Sequence, residues 1–498
     1  MSASHHITVS GAPEGYDAQL ILRELDKGKP VVQVARDDKR LAAMQAALRF
    51  FAPDMPVFVF PAWDCLPYDR VSPNADVSAA RMATLAALVH GMPERYILLT
   101  TLSAATQRVP ARSLLREAAF SAKVGNRIDE EALRHFLIRM GFTQSPTVME
   151  PGDYAVRGGI IDIFPPGQTG PVRLDLFGDV LDGARRFDPA SQRTTEKLTD
   201  IELAPVSEVI LDEAAITRFR QNYRIEFGAA GTDDPLYEAV SAGRKHAGVE
   251  HWLGFFQDDL ETLFDYLPSA TVALDDQIGP SRVARWESIT DQYETRMHAL
   301  SQKGRMDSVY KPAPPQLLYL DDAAWDAAVA DHRVLQFSAL KQATGPGVTD
   351  AGGRIGRDFA PERQQEQISL FKSLADHVKT RLDAGPVVIA SYSDGARERL
   401  EGLIADEGIA EAIAISDFSR VGKRGLHLAV WPLDHGFEAP GLTVISEQDV
   451  LGDRLIRQTK RKRRAENFLS EANSLAPGDL VVHVDHGVGR FKGMEVVT

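Results

Sequence analysis

Residues 154–167 read YAVRGGIIDIFPPG, and this stretch decides the character of the region around it. Apolar and polar residues alternate with a period of two, and the run ends on a Pro-Pro-Gly turn. Ile161 and Ile163 therefore share the predicted core side of a strand, with Asp162 between them on the opposite side. Arg157 stands immediately before the two glycines of an expected turn. The pattern predicts a short antiparallel strand and leaves open what the arginine contacts.

More strands of this kind follow, in VRLDLFGD and VLDGARRFDP, so residues 154–187 are predicted to form a small antiparallel sheet. In the first of these strands Arg173 and Phe177 share one face, and the two leucines between them share the other, which is the predicted core side. A large aromatic residue beside an arginine on an outer face has the composition of an interface hot spot. An ordinary solvated sheet face is the alternative.

The flanking sequence predicts α/β structure. Strand-like runs separated by helical patterns in the first 110 residues predict a parallel sheet with helices on its faces. An amphipathic helix is predicted from Asp129 to a stop at Gly141, and further helices from Ile216. A second α/β stretch begins near Arg354, and the sequence leaves its role open. The strand runs are VVQVA, VFVF and YILLTT, and the later helical runs are LYEAVSAG, LETLFDYL and ITDQYETRMHALSQKG.

Length and composition limit the class of protein. A chain of 498 residues is too long for one core, so three to five domains are expected. The net charge of −14 argues against a nucleic-acid surface along the whole chain. No apolar run reaches the roughly 18–20 residues of a membrane span, and the N-terminus lacks the pattern of a secretion signal. With a single cysteine as well, a cytoplasmic protein without membrane contact is expected.

The N-terminal segment VSGAPEGYDAQLILREL has the layout of a phosphate loop, with Gly11 and Gly15 between a strand and a helix. A working loop continues with lysine and a hydroxyl residue, which contact the phosphates and Mg²⁺. Here Tyr16 and Asp17 follow, and Glu14 adds a negative charge where phosphate would lie. A degenerate phosphate loop is therefore predicted, with nucleotide binding as the less favoured alternative. No set of catalytic residues and no metal site is predicted anywhere in the chain.

Seven arginines and lysines without an acid lie between residues 454 and 464, where a linker is predicted. The alternatives are contact with DNA or RNA and contact with an acidic part of the same chain. The last 24 residues, LAPGDLVVHVDHGVGRFKGMEVVT, return to strand and glycine-turn patterns. So short a segment cannot bury a core. We therefore expect this last domain to continue beyond Thr498.

Four motifs, in this order, resemble the N-terminal half of the bacterial transcription-repair coupling factors. They are WDCLPYDRVSPNADVSAARMATLAAL, GDYAVRGGIIDIFPPG, VRLDLFGDVLDGARRFDPASQRT and LVVHVDHGVGRFKGM. The resemblance implies a module like the excinuclease subunit UvrB, followed by a small barrel-like domain that binds RNA polymerase. The implied organisation is a UvrB-like degenerate α/β domain (1–120 and 206–340), an inserted UvrA-binding sheet domain (121–205), a further α/β domain (350–452), a basic linker (453–474) and a truncated polymerase-interaction domain (475–498).

The resemblance also implies the partners and the residues that contact them. Arg157, Arg173 and Phe177 match the two arginines and the aromatic residue that bind the repair protein UvrA in the family. Val497 matches the contact with the RNA polymerase β subunit. ATP, Mg²⁺ and most DNA contacts would belong to a motor beyond Thr498, so no cofactor is expected here. An intramolecular contact with that C-terminal half, and a monomeric state, are also implied.

The implied function is the adaptor half of a factor that removes stalled RNA polymerase from damaged DNA and recruits UvrA to begin excision repair. This half is expected to hydrolyse no ATP. One alternative is a UvrB-type ATP-dependent subunit that loads onto damaged DNA, which a lysine in the N-terminal loop would have favoured. Another alternative is a transcription regulator outside repair that shares the polymerase-binding domain.

Overall fold

The computed structural model describes residues 6–118, 120–228, 234–301, 310–343, 345–365, 367, 369–408 and 412–452, and the backbone of 480–483 and 487–490. Residues 1–450 form one compact unit, and residues 451–498 form a second. Within the described ranges, no helix is both long and apolar enough to cross a bilayer.

The N-terminal region alternates strands and helices, and the three strands predicted there are confirmed. Two of them are buried along their whole length, as expected for strands covered by helices on both faces. The carboxylate of Asp37 caps the helix that follows the second strand by accepting a hydrogen bond from the Arg40 amide. The elements are β1 (His6–Ser10), α1 (Tyr16–Leu25), β2 (Val31–Ala35), α2 (Asp38–Phe51), β3 (Val57–Phe60), α3 (Ala75–His90), β4 (Ile97–Thr101), α4 (Leu102–Ala105) and α5 (Arg112–Glu117).

The predicted small sheet is confirmed as a six-stranded sheet that is antiparallel except at one edge pair. The predicted helix after Asp129 is confirmed too, and its apolar face packs on the inner face of this sheet. The elements are β5 (Phe120–Lys123), α6 (Glu130–Arg139), β6 (Thr143–Gln144), β7 (Asp153–Arg157), β8 (Ile160–Ile163), β9 (Val172–Phe177), β10 (Val180–Phe187), β11 (Thr194–Leu198) and β12 (Asp200–Leu203). The strand order is β11-β10-β9-β8-β7-β6, and β12 pairs with β5 in a separate ribbon.

The chain then returns to the first sheet with two central strands that the sequence analysis did not predict. The helix predicted over residues 260–267 is wrong: this segment forms turns, and four large apolar side chains between Leu263 and Leu267 are buried in the core of the first sheet. The Asp265 carboxylate also accepts hydrogen bonds from the Thr262 amide and hydroxyl, which favours the turn. The elements are α7 (Glu213–Phe227), α8 (Pro235–Ser241), α9 (Leu253–Phe256), β13 (Thr271–Leu274), α10 (Ile278–Ser301), α11 (Asp322–Val329), β14 (Arg333–Phe337) and β15 (Val348–Asp350).

The first sheet therefore combines strands that precede the small sheet in the sequence with strands that follow it. Its order is β15-β1-β14-β13-β2-β4-β3, and all of its strands are parallel. The strand, turn and helix predicted around residues 387–406 are confirmed within a third, mixed sheet of order β16-β20-β21-β17-β19-β18. Its elements are β16 (Arg354–Ile355), α12 (Ala360–Arg363), α13 (Leu370–Leu382), β17 (Val387–Ser391), α14 (Asp394–Asp406), β18 (Ile413–Ile415), β19 (Leu426–Val430), β20 (Phe437–Ala439), β21 (Leu442–Ser446) and α15 (Glu447–Leu451).

One hydrophobic cluster joins the third sheet to α1 and α2 of the first. Phe50 stacks on Trp431 with ring centroids 4.6 Å apart, and Tyr16 stacks on Phe437 at 5.9 Å. Aromatic pairs of this kind add to the free energy of simple area burial. The two sheets thus share a core.

In the C-terminal unit, β22 (Leu480–His483) and β23 (Gly487–Arg490) pair as an antiparallel hairpin. The predicted linker, residues 453–474, lies outside the described residues, as does Val497.

Candidate protein-binding site

Strand register places Arg157, Arg173 and Phe177 on one face of the small sheet. Arg157 lies opposite Ile160, and Ile160 lies opposite Asp175, which stands between Arg173 and Phe177 in β9. Directly opposed residues share a face, and so do residues two apart along a strand. Strand spacing puts the Arg157 and Asp175 positions about 10 Å apart. The three predicted residues therefore lie on one surface, opposite the face that packs on α6.

Phe177 and Arg157 are the two solvent-exposed residues among these three. The Phe177 side chain is 82% exposed at the end of β9, and Ile160, beside Arg157, is 38% exposed. Arg157 is exposed at the end of β7, where its Nη2 donates to the Pro146 carbonyl at 2.5 Å. An exposed phenylalanine and isoleucine next to a guanidinium offer apolar area and hydrogen-bond donors to an acidic partner.

Arg173 is held differently, by a carboxylate of its own sheet. Its Nε and Nη2 donate to the two oxygens of Asp162 at 2.7 and 2.9 Å, and its guanidinium lies 4.7 Å from the Phe187 ring centroid. The hydrogen bonds to Asp162 raise the pKa of Arg173 above its ordinary value. The side chain remains about one-fifth exposed, so it is not fully enclosed by the sheet.

Asp162 and Ile160 are the site residues that sequence reasoning missed. The alternation in β8 predicted Asp162 on the open face, yet only 1% of it is exposed because Arg173 covers it. The missing information is the register between β8 and β9, which puts Asp162 directly opposite Arg173. Opposite charges at such positions stabilise each other.

Gly11 and Gly15 lie in the turn between β1 and α1, the position predicted for a phosphate loop. Both have positive φ, at 63° and 91°, a conformation that side chains other than glycine rarely adopt. The Gly15 amide donates to Asp17 Oδ1 at 3.0 Å, and Glu14 pairs with Arg36 at 2.7 Å. Among the described residues no group of three or more His, Cys, Asp or Glu could hold a metal ion.

Two family profiles match the chain. The profile of the UvrB interaction domain matches residues 120–209, the segment that contains the small sheet. The profile of the CarD-like/TRCF RID domain matches residues 475–498.

Curated relatives match along almost the whole chain. The transcription-repair-coupling factor of Escherichia coli K12 is 32% identical over 475 residues, which cover 93% of this chain and 40% of that protein. The factor of Myxococcus xanthus is also 32% identical, with the same coverage, and that of Haemophilus influenzae is 27% identical over 98% of this chain and 42% of its own length. The chain thus spans about 40% of the length of these relatives.

Proposed function

The chain belongs, over the part that it spans, to the transcription-repair-coupling factor family, and on this premise we propose that it is the adaptor part of such a factor. The outer face of the small sheet recruits UvrA, and residues 475–498 contribute to docking on the RNA polymerase β subunit. The whole factor would release stalled polymerase from damaged DNA with an ATP-driven motor and bring the excision machinery to the lesion in the cytoplasm. A single polypeptide would then join transcription to nucleotide excision repair.

One observation carries the UvrA assignment. Phe177 is the most exposed of the large hydrophobic residues described, and it shares a face with two arginines in a segment that matches the UvrB interaction domain. An exposed phenylalanine of this kind gains free energy when a partner covers it. Arginines beside it give the contact specificity for carboxylates.

Replacing either open residue should weaken UvrA binding. We expect Phe177→Ala and Arg157→Ala each to cost about 2 kcal/mol or more of binding free energy, roughly a 30-fold rise in Kd, as truncations at hot spots do. Isothermal titration of purified UvrA into each variant measures this.

Ile138→Ala and Arg139→Ala are the matched controls. Both residues are exposed on α6, which packs against the other face of the sheet, so their loss should leave Kd within about twofold. Wild-type affinity in both Phe177→Ala and Arg157→Ala, with circular dichroism unchanged, would remove the site from this face.

The glycine turn is proposed to be a degenerate phosphate loop without catalytic activity. Gly15 is followed by Tyr16 and Asp17 in place of the lysine and the serine or threonine that contact phosphate and Mg²⁺, and Glu14 and Asp17 bring negative charge instead. We expect no ATPase activity above background in a coupled assay, with or without DNA. An activity that disappeared on replacement of Gly11 or Gly15 would contradict this proposal. The same chemistry disfavours the alternative of a UvrB-type ATP-dependent loading subunit.

A further inference from the structure

The turn between β1 and α1 lies at the carboxyl edge of the first sheet, where open α/β sheets commonly bind ligands. A phosphate site there needs free backbone N–H groups that point outward. The structure shows how these groups are used instead and what lies over the turn.

Five amides in and next to the turn already have acceptors. Those of Gly11 and Ala12 donate to the carbonyls of Leu340 and Ser338 at 3.3 and 2.9 Å. The Gly15 amide donates to the Asp17 carboxylate, so a side chain of the protein takes the position of an anionic ligand. The amides of Tyr16 and Asp17 donate back to the carbonyl of Pro13 at 3.1 and 3.2 Å.

Residues of the third sheet and its leading segment lie directly on the turn. A Cβ added at Gly15 would come within 2.9 Å of the Phe437 ring and 3.1 Å of a Leu433 methyl carbon. One added at Gly11 would come within 2.8 Å of the Gly353 carbonyl oxygen. The Gly353 amide in turn donates to the Gly11 carbonyl at 2.9 Å. At these two positions no room is left for a further atom.

Two polar contacts fix the covering segment in place. The hydroxyl of Tyr16 donates to the Ala351 carbonyl at 3.1 Å, while Lys39 of α2 pairs with Asp434 at 2.7 Å. Together with the aromatic stacking of Tyr16 on Phe437, they hold α1 and α2 against the segment before β16 and the connection between β19 and β20.

We propose that residues 350–450 are the built-in occupant of the phosphate-loop crevice, and that Gly353, Leu433 and Phe437 close the glycine turn against nucleotides and other anions. This assigns a role to the α/β segment that the sequence left open. It goes beyond UvrA docking and does not depend on it.

Hydrogen exchange of the whole chain tests this directly, because it reports how often the turn opens. In Phe437→Ala we expect the amides of Gly15 and Tyr16, read in a peptide spanning residues 9–18, to exchange at least tenfold faster than in the wild type. Leu400→Ala is the matched control: Leu400 is equally buried in α14, outside the cluster that contacts the turn. There the peptide should change by less than twofold.

Two outcomes would overturn the proposal. One is equal protection of residues 9–18 in Phe437→Ala and Leu400→Ala. The other is saturable, Mg²⁺-dependent binding of a fluorescent ATP analogue to the wild-type chain that is lost in Gly15→Val. If Phe437→Ala raises exchange everywhere, including β9, the milder Phe437→Leu replaces it and must still open the turn selectively.

Discussion

Arg40→Met should destabilise the chain by about 3–5 kcal/mol, the cost of removing one partner from a buried ionic network. The Arg40 guanidinium is buried between two carboxylates: its Nη2 pairs with Asp17, and its Nε donates to Asp275 Oδ1 at 3.0 Å. Methionine matches the arginine stem in volume but leaves both carboxylates without this cation. Asp275 would keep its ion pair with Arg36 at 3.0 Å, whereas Asp17 would keep the hydrogen bond from the Gly15 amide and lose its cation.

The pH dependence separates this charge effect from lost packing. Burial raises the pKa of Asp17 to about 6 in the wild type, even though Arg40 opposes the shift. Without Arg40 this pKa rises further, since Glu14 and Asp275 also face Asp17. A carboxyl whose folded pKa is raised favours folding at low pH, and this contribution is lost as pH rises through the folded pKa. The deficit of Arg40→Met relative to the wild type should therefore shrink from pH 8 to pH 5.

Urea denaturation followed by tryptophan fluorescence measures the deficit. Arg95→Met is the control, because its pair with Asp26 is exposed and should contribute well under 1 kcal/mol. Asp17→Asn in the Arg40→Met background should recover part of the loss by removing one unpaired carboxylate. A deficit below 1 kcal/mol at pH 8, or one independent of pH, would show that the buried carboxylates do not need the charge of Arg40.

The elements that sequence predicted well are those whose signal is local. Strands β2, β3 and β4 are short apolar runs, and α6 has both a cap at Asp129 and a single apolar face, so neighbours in sequence determine them. The segment 260–267 has the same helical spacing, yet four of its apolar side chains are buried together in the core of the first sheet. Burial of this kind depends on distant strands, which no local pattern reports.

Part of the candidate site also follows from local sequence, and part of it does not. The alternation of side chains along a strand placed Arg173 and Phe177 on one face, and Phe177 is indeed exposed there. The pairing of Arg173 with Asp162 depends on the register between two strands joined by eight residues, 164–171. The alternation of side chains within each strand does not determine that register. Likewise, nothing local to Gly15 indicates that Phe437, more than 400 residues later, lies on it.

Under the proposed UvrA assignment, Arg173 would serve both folding and recognition. Arg173→Gln removes the cation from the buried Asp162 carboxylate, so we expect a loss of about 2–3 kcal/mol of stability, less than for a fully buried pair because the guanidinium reaches solvent. With the proposed contact, UvrA affinity should fall as well, by about 2 kcal/mol, as truncations at hot spots do. The single variant cannot separate these two effects.

A double variant separates them. In Asp162→Asn/Arg173→Gln two neutral amides replace the ion pair at directly opposed positions, so the unpaired carboxylate is gone and most of the stability should return. UvrA affinity should stay low, because the guanidinium is still absent. Denaturant midpoints and UvrA titrations of the wild type, the single variant and the double variant give both quantities. If the double variant regains affinity together with stability, Arg173 acts only by holding the sheet, and the contact with UvrA rests on Arg157 and Phe177.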